Sequence, residues 1–358
     1  MNQLTELESE RTEQDELLDF AVIGAGIAGL TAASNIIGAG YSVAVFEKAR
    51  GTGGRLSSKR AAYDDGKFMA FDLGCVSITA ESSAFSDQLQ RWHASGVIAP
   101  WWKNDQNQTH YVALPRNSGL TRHLSTNIEC HFSNKITSIQ RIADTWHLFS
   151  DDGESVKLLA KSKNVIIAAP PAQAFDLLPA DHRFKRDLEN VTVGAQWVVG
   201  LEVNNDLSAS SVMTYPQSGS IFSISQESRK PGRRDSGEQS DNECSSTILQ
   251  IQASADWTQQ HLELSQEKVC SVLIGELEHQ LQQPLSIVHA YAHRWLYSCV
   301  TQGINNQQGY LWDEQGLGVI GDYFNIATNI DSNTHVKGVE SAWLSGKQLS
   351  DWLMLVSK

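Results

Sequence analysis

Phe20-Ala21-Val22-Ile23-Gly24-Ala25-Gly26-Ile27-Ala28-Gly29-Leu30 decides the fold. An apolar, β-like run breaks directly into G-x-G-x-x-G and then into a helix-like segment. The next apolar run, Tyr41 to Phe46, is closed by an acid, Glu47. Strand, glycine turn, helix, strand and acid in that order form the βαβ pattern that holds a dinucleotide. Gly24 permits the tight turn, Gly26 offers no side chain to obstruct a pyrophosphate, and Gly29 lets the helix approach the strand. The helix start presents N–H groups and a partial positive charge to phosphates. Glu47 can accept hydrogen bonds from the two ribose hydroxyls of an adenosine.

A second match, Gly316-Leu317-Gly318-Val319-Ile320-Gly321, is a decoy. Its apolar residues lie among the glycines, and Asp322-Tyr323-Phe324 follows where a helix would have to begin. The reading there is a strand ending at Gly321, with no second dinucleotide fold.

The chain has 358 residues, 41% of them apolar, enough for two domains or one large domain with an insertion. A net charge of −13 argues against nucleic acid or an anionic membrane as partner. Cys75, Cys130, Cys244, Cys270 and Cys299 are scattered and odd in number, a pattern of free thiols in a reducing cytoplasm rather than of disulfides or a zinc site. No H-x-x-x-H occurs on a helix-like segment, so no metal is expected. Residues 1–18, rich in acids, read as a solvated tail, not as a signal peptide.

Past the first βαβ unit, residues 49–75 form a Gly-rich connection into a strand, Phe68 to Leu73. A helix carries Phe85, Leu89 and Trp92 on one face. Residues 128–160 resemble a β-meander, and Val165 to Ala169 is a buried strand stopped by Pro170-Pro171. Between 191 and 300 the character changes. Strands at Gln196 to Val203, Ile221 to Ser225, Thr247 to Gln252 and Ile287 to Ser298 alternate, and an amphipathic helix runs from about Ser265 to Leu281. Ser225–Ser246 is polar, and its bases and acids nearly cancel, so it reads as a mobile loop. The fold class expected is α/β: a Rossmann-type nucleotide domain with an inserted substrate domain of antiparallel β-sheet plus helix. Residues 19–75, 112–190 and 305–358 are assigned to the first domain, 76–111 and 191–304 to the second.

NAD and FAD share the first fingerprint, so later residues must decide between them. Lys48-Ala49-Arg50-Gly51-Thr52-Gly53-Gly54-Arg55 suits a backbone running close past a longer ligand, with Arg55 pairing with pyrophosphate or steadying the loop. Gly321-Asp322 ends a strand, and such an Asp can bond a ribityl hydroxyl, which NAD lacks. A last helix begins after Gly338, and its dipole can stabilise negative charge on a reduced flavin.

With these residues the chain resembles the flavin-containing amine oxidase superfamily, and within it bacterial renalase-like proteins. The resemblance rests on the glycine turn, Glu47-Lys48-x-Arg50-x-x-Gly53-Gly54-Arg55 and Gly321-Asp322 with Gly338-Val339-Glu340-Ser341-Ala342. It extends to Ser228-Arg229-Lys230-Pro231-Gly232-Arg233, Ala253-Ser254-Ala255-Asp256-Trp257-Thr258 and His293-Arg294-Trp295-x-Tyr297. It implies a two-domain fold of the p-hydroxybenzoate hydroxylase type and non-covalent FAD. It also implies an oxidase that takes hydride from a reduced nicotinamide isomer (dihydro-NAD(P)) or an amine to the flavin N5, oxygen leaving as hydrogen peroxide. Two alternatives stay open, a flavin-dependent desaturase or isomerase of an apolar substrate and a catalytically degenerate flavin-binding protein. One departure stands out. Relatives tend to read Phe-Asp-His-Gly-Ala-Gln-Tyr where this chain has Phe71-Asp72-Leu73-Gly74-Cys75-Val76-Ser77, a stretch expected to run near the flavin ring.

The expected cofactor positions are Gly24, Gly26, Ile27, Ala28, Gly29, Glu47, Lys48, Gly53, Gly54, Arg55, Ile136, Ala169, Gly321, Asp322, Val339, Glu340 and Ala342. For the substrate slot they are His293, Trp295 and Tyr297. Strand alternation puts them on one face with His289 and Tyr291, and Arg294 on the other. The same residues could instead simply pack the sheet onto its helix.

Overall fold

Four consecutive buried residues, Phe20 to Ile23, show that the strand Leu17–Ile23 lies inside a sheet. The computed structural model describes residues 17–63, 66, 68–207, 209–233, 246–326 and 338–356. It divides the described residues into two units. One comprises those of Met1–Thr52, Leu124–Val191 and Gly303–Lys358; the other those of Gly53–His123 and Thr192–Gln302.

In the first unit Leu17–Ile23 pairs in parallel with Val43–Glu47 on one side and with Val156–Ile167 on the other. Glu129–Phe132 extends the sheet beyond Val43–Glu47, and Leu317–Ile320 extends it beyond Val156–Ile167, both in parallel. Parallel strands covered on both faces read as continuous apolar runs, as Phe20 to Ile23 and Val165 to Ile167 do. Tyr310–Trp312 adds an antiparallel edge. The meander is Ser138–Ile142, Thr145–Asp151 and Val156–Ile167, whereas Glu129–Phe132 belongs to the parallel sheet. The decoy glycines lie in and beside the buried strand Leu317–Ile320. The helices Ile27–Gly38 and Gly338–Val356 share one core: Leu30, Ala33 and Ile36 meet Leu349 and Leu353.

The second unit is built on an antiparallel sheet of five strands, in the order Met213–Thr214, Ile221–Gln226, Thr247–Ala253, Thr192–Val203, Ile287–Gln302. Helix Gln266–Leu281, capped by the Ser265 hydroxyl, buries Val269, Leu273 and Leu277 against Trp197, Val199, Leu201 and Val203. Two hairpins, Ser58–Ala62 with Phe68–Asp72 and Ile98–Lys103 with Thr109–Ala113, complete the strands.

Three expectations change. The first strand begins at Leu17, inside the expected tail, because Leu17 and Leu18 pair with Lys161 and Ser162; residues 1–16 lie outside the described residues. Residues 53–75 and 112–123 pack within the second unit rather than the nucleotide domain, since Asp72, Leu73 and Gly74 bond to Gln250, Trp295 and Gln252 there. Residues 225–233 are not a loose loop: Glu227 and Lys230 are buried, for reasons given below. Residues 234–245 lie outside the described set.

Candidate functional site

The glycine turn of the first unit is set by backbone geometry. Gly24 has φ +112, and a Cβ there would sit 2.6 Å from the Ala168 carbonyl oxygen, so a side chain is excluded twice over. A Cβ on Gly29 would run into the Gly24 carbonyl oxygen and crowd Ala168 and Val22. Gly26 is different. A Cβ there meets nothing within 4 Å, and no side chain caps the helix that starts beside it. Open space in front of first-turn N–H groups is what a pyrophosphate needs. Glu47 is fixed in place: the Ala25 N–H donates to Oε2 (2.9 Å) and the Ala49 N–H to Oε1 (2.8 Å). A carboxylate has about four acceptor positions, so two remain for hydroxyl donors.

The other end of the cradle follows from the last helix. A Cβ on Gly346 would collide with the Ala28 carbonyl oxygen, so this glycine lets the last helix lie against the first. Ala342 packs on the cluster that contains Ala25 and Ala28. The Ser341 hydroxyl donates to the Asp322 carbonyl (3.3 Å) and the Gly321 N–H to the Ser345 hydroxyl (3.0 Å). Asp322 is thereby held at the helix start together with Val339 and Glu340. Ile136 is buried, and the Ala169 carbonyl accepts from the Tyr323 hydroxyl. Lys48 points elsewhere, to the Gln173 side chain at 3.0 Å.

In the second unit Gly53 has φ +146 and Gly54 φ +52. Arg55 Nη1 donates to the Ser298 carbonyl (3.0 Å) and its own carbonyl accepts from the Cys75 N–H (2.9 Å), which ties this loop to the 72–75 stretch. On the Ile287–Gln302 strand, His289, Tyr291, His293 and Trp295 stand opposite Glu202, Gly200, Val198 and Gln196. The helix packs against the other face, so this one is free for the Ser58–Ala62 and Phe68–Asp72 hairpin. There Phe71 meets Tyr291, with ring centroids 6.3 Å apart, in a place where only Gly200 leaves room for the Phe71 ring. Trp295 Nε1 donates to the Leu73 carbonyl (3.0 Å), and its ring meets His293 edge to face at 4.7 Å. Burial, and then Lys59, push the His293 imidazole below its usual range, so it is neutral at pH 7 and offers one donor and one acceptor. Alternation does not carry through Tyr297, because the register shifts between Gly194 and Gln196. Arg294, on the helix side, pairs with Glu263 (3.0 Å) and lies over the Trp197 ring.

Residues 22–92 match the family model of the NAD(P)-binding Rossmann-like domain. Mouse (Mus musculus) renalase is 24% identical over 316 residues, an alignment spanning 81% of this chain and 87% of that protein. The chain is thus similar to renalase over most of its length. Among solved structures, one described as a protoporphyrinogen oxidase from Exiguobacterium sp. 255-15 superposes with a TM-score of 0.69 at 11% identity, covering 94% of this chain and 98% of the other. A putrescine oxidase bound to putrescine gives 0.58 at 12% identity, with 95% and 99% covered. The dinucleotide-binding part of the first unit fits FAD. The fit is visible in its own atoms: a turn closed to any Cβ at Gly24 and Gly29 but open at Gly26, beside a fixed acid.

Sequence reading of this renalase-like chain missed a buried charge cluster. Asp72 Oδ2 meets Lys230 Nζ at 3.2 Å and Arg233 Nη2 at 2.5 Å. Lys230 also pairs with Glu227, and Glu227 Oε2 accepts from the Asp72 N–H (3.0 Å). Ser58 and Asn117 satisfy the other Asp72 oxygen. Asp72 therefore anchors Leu73, the residue whose carbonyl holds Trp295. The signal was present in Lys230-x-x-Arg233, but a charge count over the segment hides which acids the bases meet. Cys75, in the departing stretch, has its thiol pushed up to about 11 by burial and is inert as a nucleophile at neutral pH.

Proposed function

We propose that this enzyme is an oxidase of a reduced nicotinamide isomer, with an amine as the other donor to be tested, and with Gly24, Gly26, Gly29, Glu47 and Asp322 holding the FAD. When bound, FAD accepts a hydride from the donor and returns two electrons to oxygen, giving hydrogen peroxide. The observation that carries the reading is the dinucleotide turn of the first unit, closed to a Cβ at Gly24 and Gly29, open at Gly26 and flanked by the fixed Glu47. The second G-x-G-x-x-G lies in and beside a buried strand, so reductant and substrate are read as a single molecule.

The chain's own work is positional. Trp295 supplies a flat wall whose plane is fixed by its bond to the Leu73 carbonyl. Neutral His293 can hydrogen-bond a carboxamide without adding charge. Polar groups on this face weigh against an apolar carbon substrate. Anaerobic mixing of the yellow protein with dihydro-NAD(P) isomers should bleach the flavin absorbance, and air should restore it with one peroxide per turnover. No bleaching by any dihydronicotinamide or amine would sink the proposal.

A further inference from the structure

Two indoles and an imidazole meet on the hairpin of Ile98–Lys103 and Thr109–Ala113. Trp102 stands opposite His110, and their rings stack with centroids 4.2 Å apart. Trp101 is the extra residue of a β-bulge between Pro100 and Trp102. Strand alternation would send it to the other face, but a bulge re-aims a side chain, and its ring meets Trp102 edge to face at 6.3 Å. The three rings are half-buried. Yet Trp101 Nε1, Trp102 Nε1 and His110 Nε2 are shielded from water and have no hydrogen-bond partner among the described residues. An indole nitrogen can only donate. At His110, the Ser77 hydroxyl lies 2.8 Å from Nδ1. If it donates there, the proton of the ring sits on Nε2 and a single group is left unmet; the other tautomer leaves two, Nε2 and the Ser77 hydrogen. Burial pushes this imidazole below its usual range, so at pH 7 it is neutral and carries that one proton. Lys230 Nζ, 5.1 Å from the Trp101 centroid, is also a donor and is held by Asp72 and Glu227. Shielded donors without an acceptor are costly and rare in folded proteins, and an edge-to-face ring returns little to them.

We infer that this hairpin binds a flat monocarboxylate, whose oxygens accept from the N–H groups of Trp101, Trp102 and His110. A carboxylate is an acceptor-only group and matches a donor-only set. Neutral donors, with Lys230 already paired, suit its single charge better than the two charges of a phosphate. The nitrogens are covered in this conformation, so the ligand enters as the half-exposed indoles turn. The hairpin is a two-stranded sheet of its own, joined to its surroundings by the Ile78–Tyr111 bridge, and it can give in this way.

Titration of the purified protein with sodium benzoate, followed by calorimetry and by the indole N–H resonances, tests it. Two of the ten tryptophan indole signals of wild type should move downfield on saturation, a readout that needs no variant. Trp101→Phe and Trp102→Phe each keep a ring and lose one donor, so each should lack one of the moving signals and bind benzoate about tenfold more weakly. Ser77→Ala should weaken binding as well, because the His110 tautomer is then no longer fixed. Benzamide, which has the ring without the charge, and inorganic phosphate should both bind more weakly than benzoate. No benzoate binding to wild type, unmoved indole signals, equal affinity in Trp102→Phe, or phosphate binding as tight as that of benzoate each overturns the assignment. Flavin bleaching plays no part in any of these outcomes.

Discussion

Two glycines of the same turn would fail for different reasons, and the difference is measurable. Gly29→Ala drives a methyl into the Gly24 carbonyl, and overpacking of this kind costs about 1–3 kcal/mol. It should lower the urea midpoint of the apoprotein. Gly26→Val meets no protein atom, so the apoprotein should unfold near the wild-type midpoint yet purify colourless, because the side chain occupies the ligand's space. Absorbance of the purified variants, set beside their urea curves, checks both. Loss of stability in Gly26→Val would show that the turn is not open. These roles were readable in the sequence because glycine spacing reports backbone directly. Glu47 was readable as an acid at the right distance, but not as the acceptor of the Ala25 and Ala49 N–H groups, since backbone direction leaves no mark on composition.

At the scale of elements, the segment 227–233 and the hairpin strand ending at Asp72 form one electrostatic unit. Burial pushes Asp72 up, but Lys230 and Arg233 outweigh it and hold the carboxyl below 3.8. Asp72→Asn leaves two buried cations short of an anion, which costs about 3–5 kcal/mol; a urea titration should show the loss. Burial pushes the Glu227 carboxyl above its ordinary 4.5. Folded protein therefore holds that proton where unfolded protein has lost it. The stability this contributes is full below pH 4.5 and is lost as pH rises through the folded value. Asp72 has the opposite sign, present above 3.8 and lost as pH falls through its folded value. Glu227→Gln removes the first dependence, so from about pH 4.5 upward wild type should lose stability relative to the variant. Parallel curves would contradict this. Strands and helices were largely legible from periodicity, as in Gln266–Leu281 with its Ser265 cap. The 225–233 segment was not, because ion pairs reaching back some 160 residues in sequence have no local period.

For the whole molecule, thiol reactivity gives an independent check. Burial pushes Cys75, Cys130 and Cys270 each up to about 11, while Cys299 is exposed; Cys244 lies outside the described residues. At pH 8 only ~0.1% of a thiol titrating at 11 is thiolate. Alkylation followed by mass spectrometry should label Cys299 first and the three others slowly. Early labelling of Cys75 would mean the 72–75 stretch opens readily. The division into two units was legible as a change of pattern near residue 191, but the exchange of 53–75 and 112–123 was not, because side-chain bonds rather than composition decide it. The last helix carries a further consequence. Asn35 of the first helix bonds to Ser350, 315 positions later, and Gly346 seats against Ala28. During synthesis the fingerprint emerges from the ribosome long before the surface that covers it. Its apolar side stays uncovered by that helix until translation has passed it, so the nucleotide cradle is completed last.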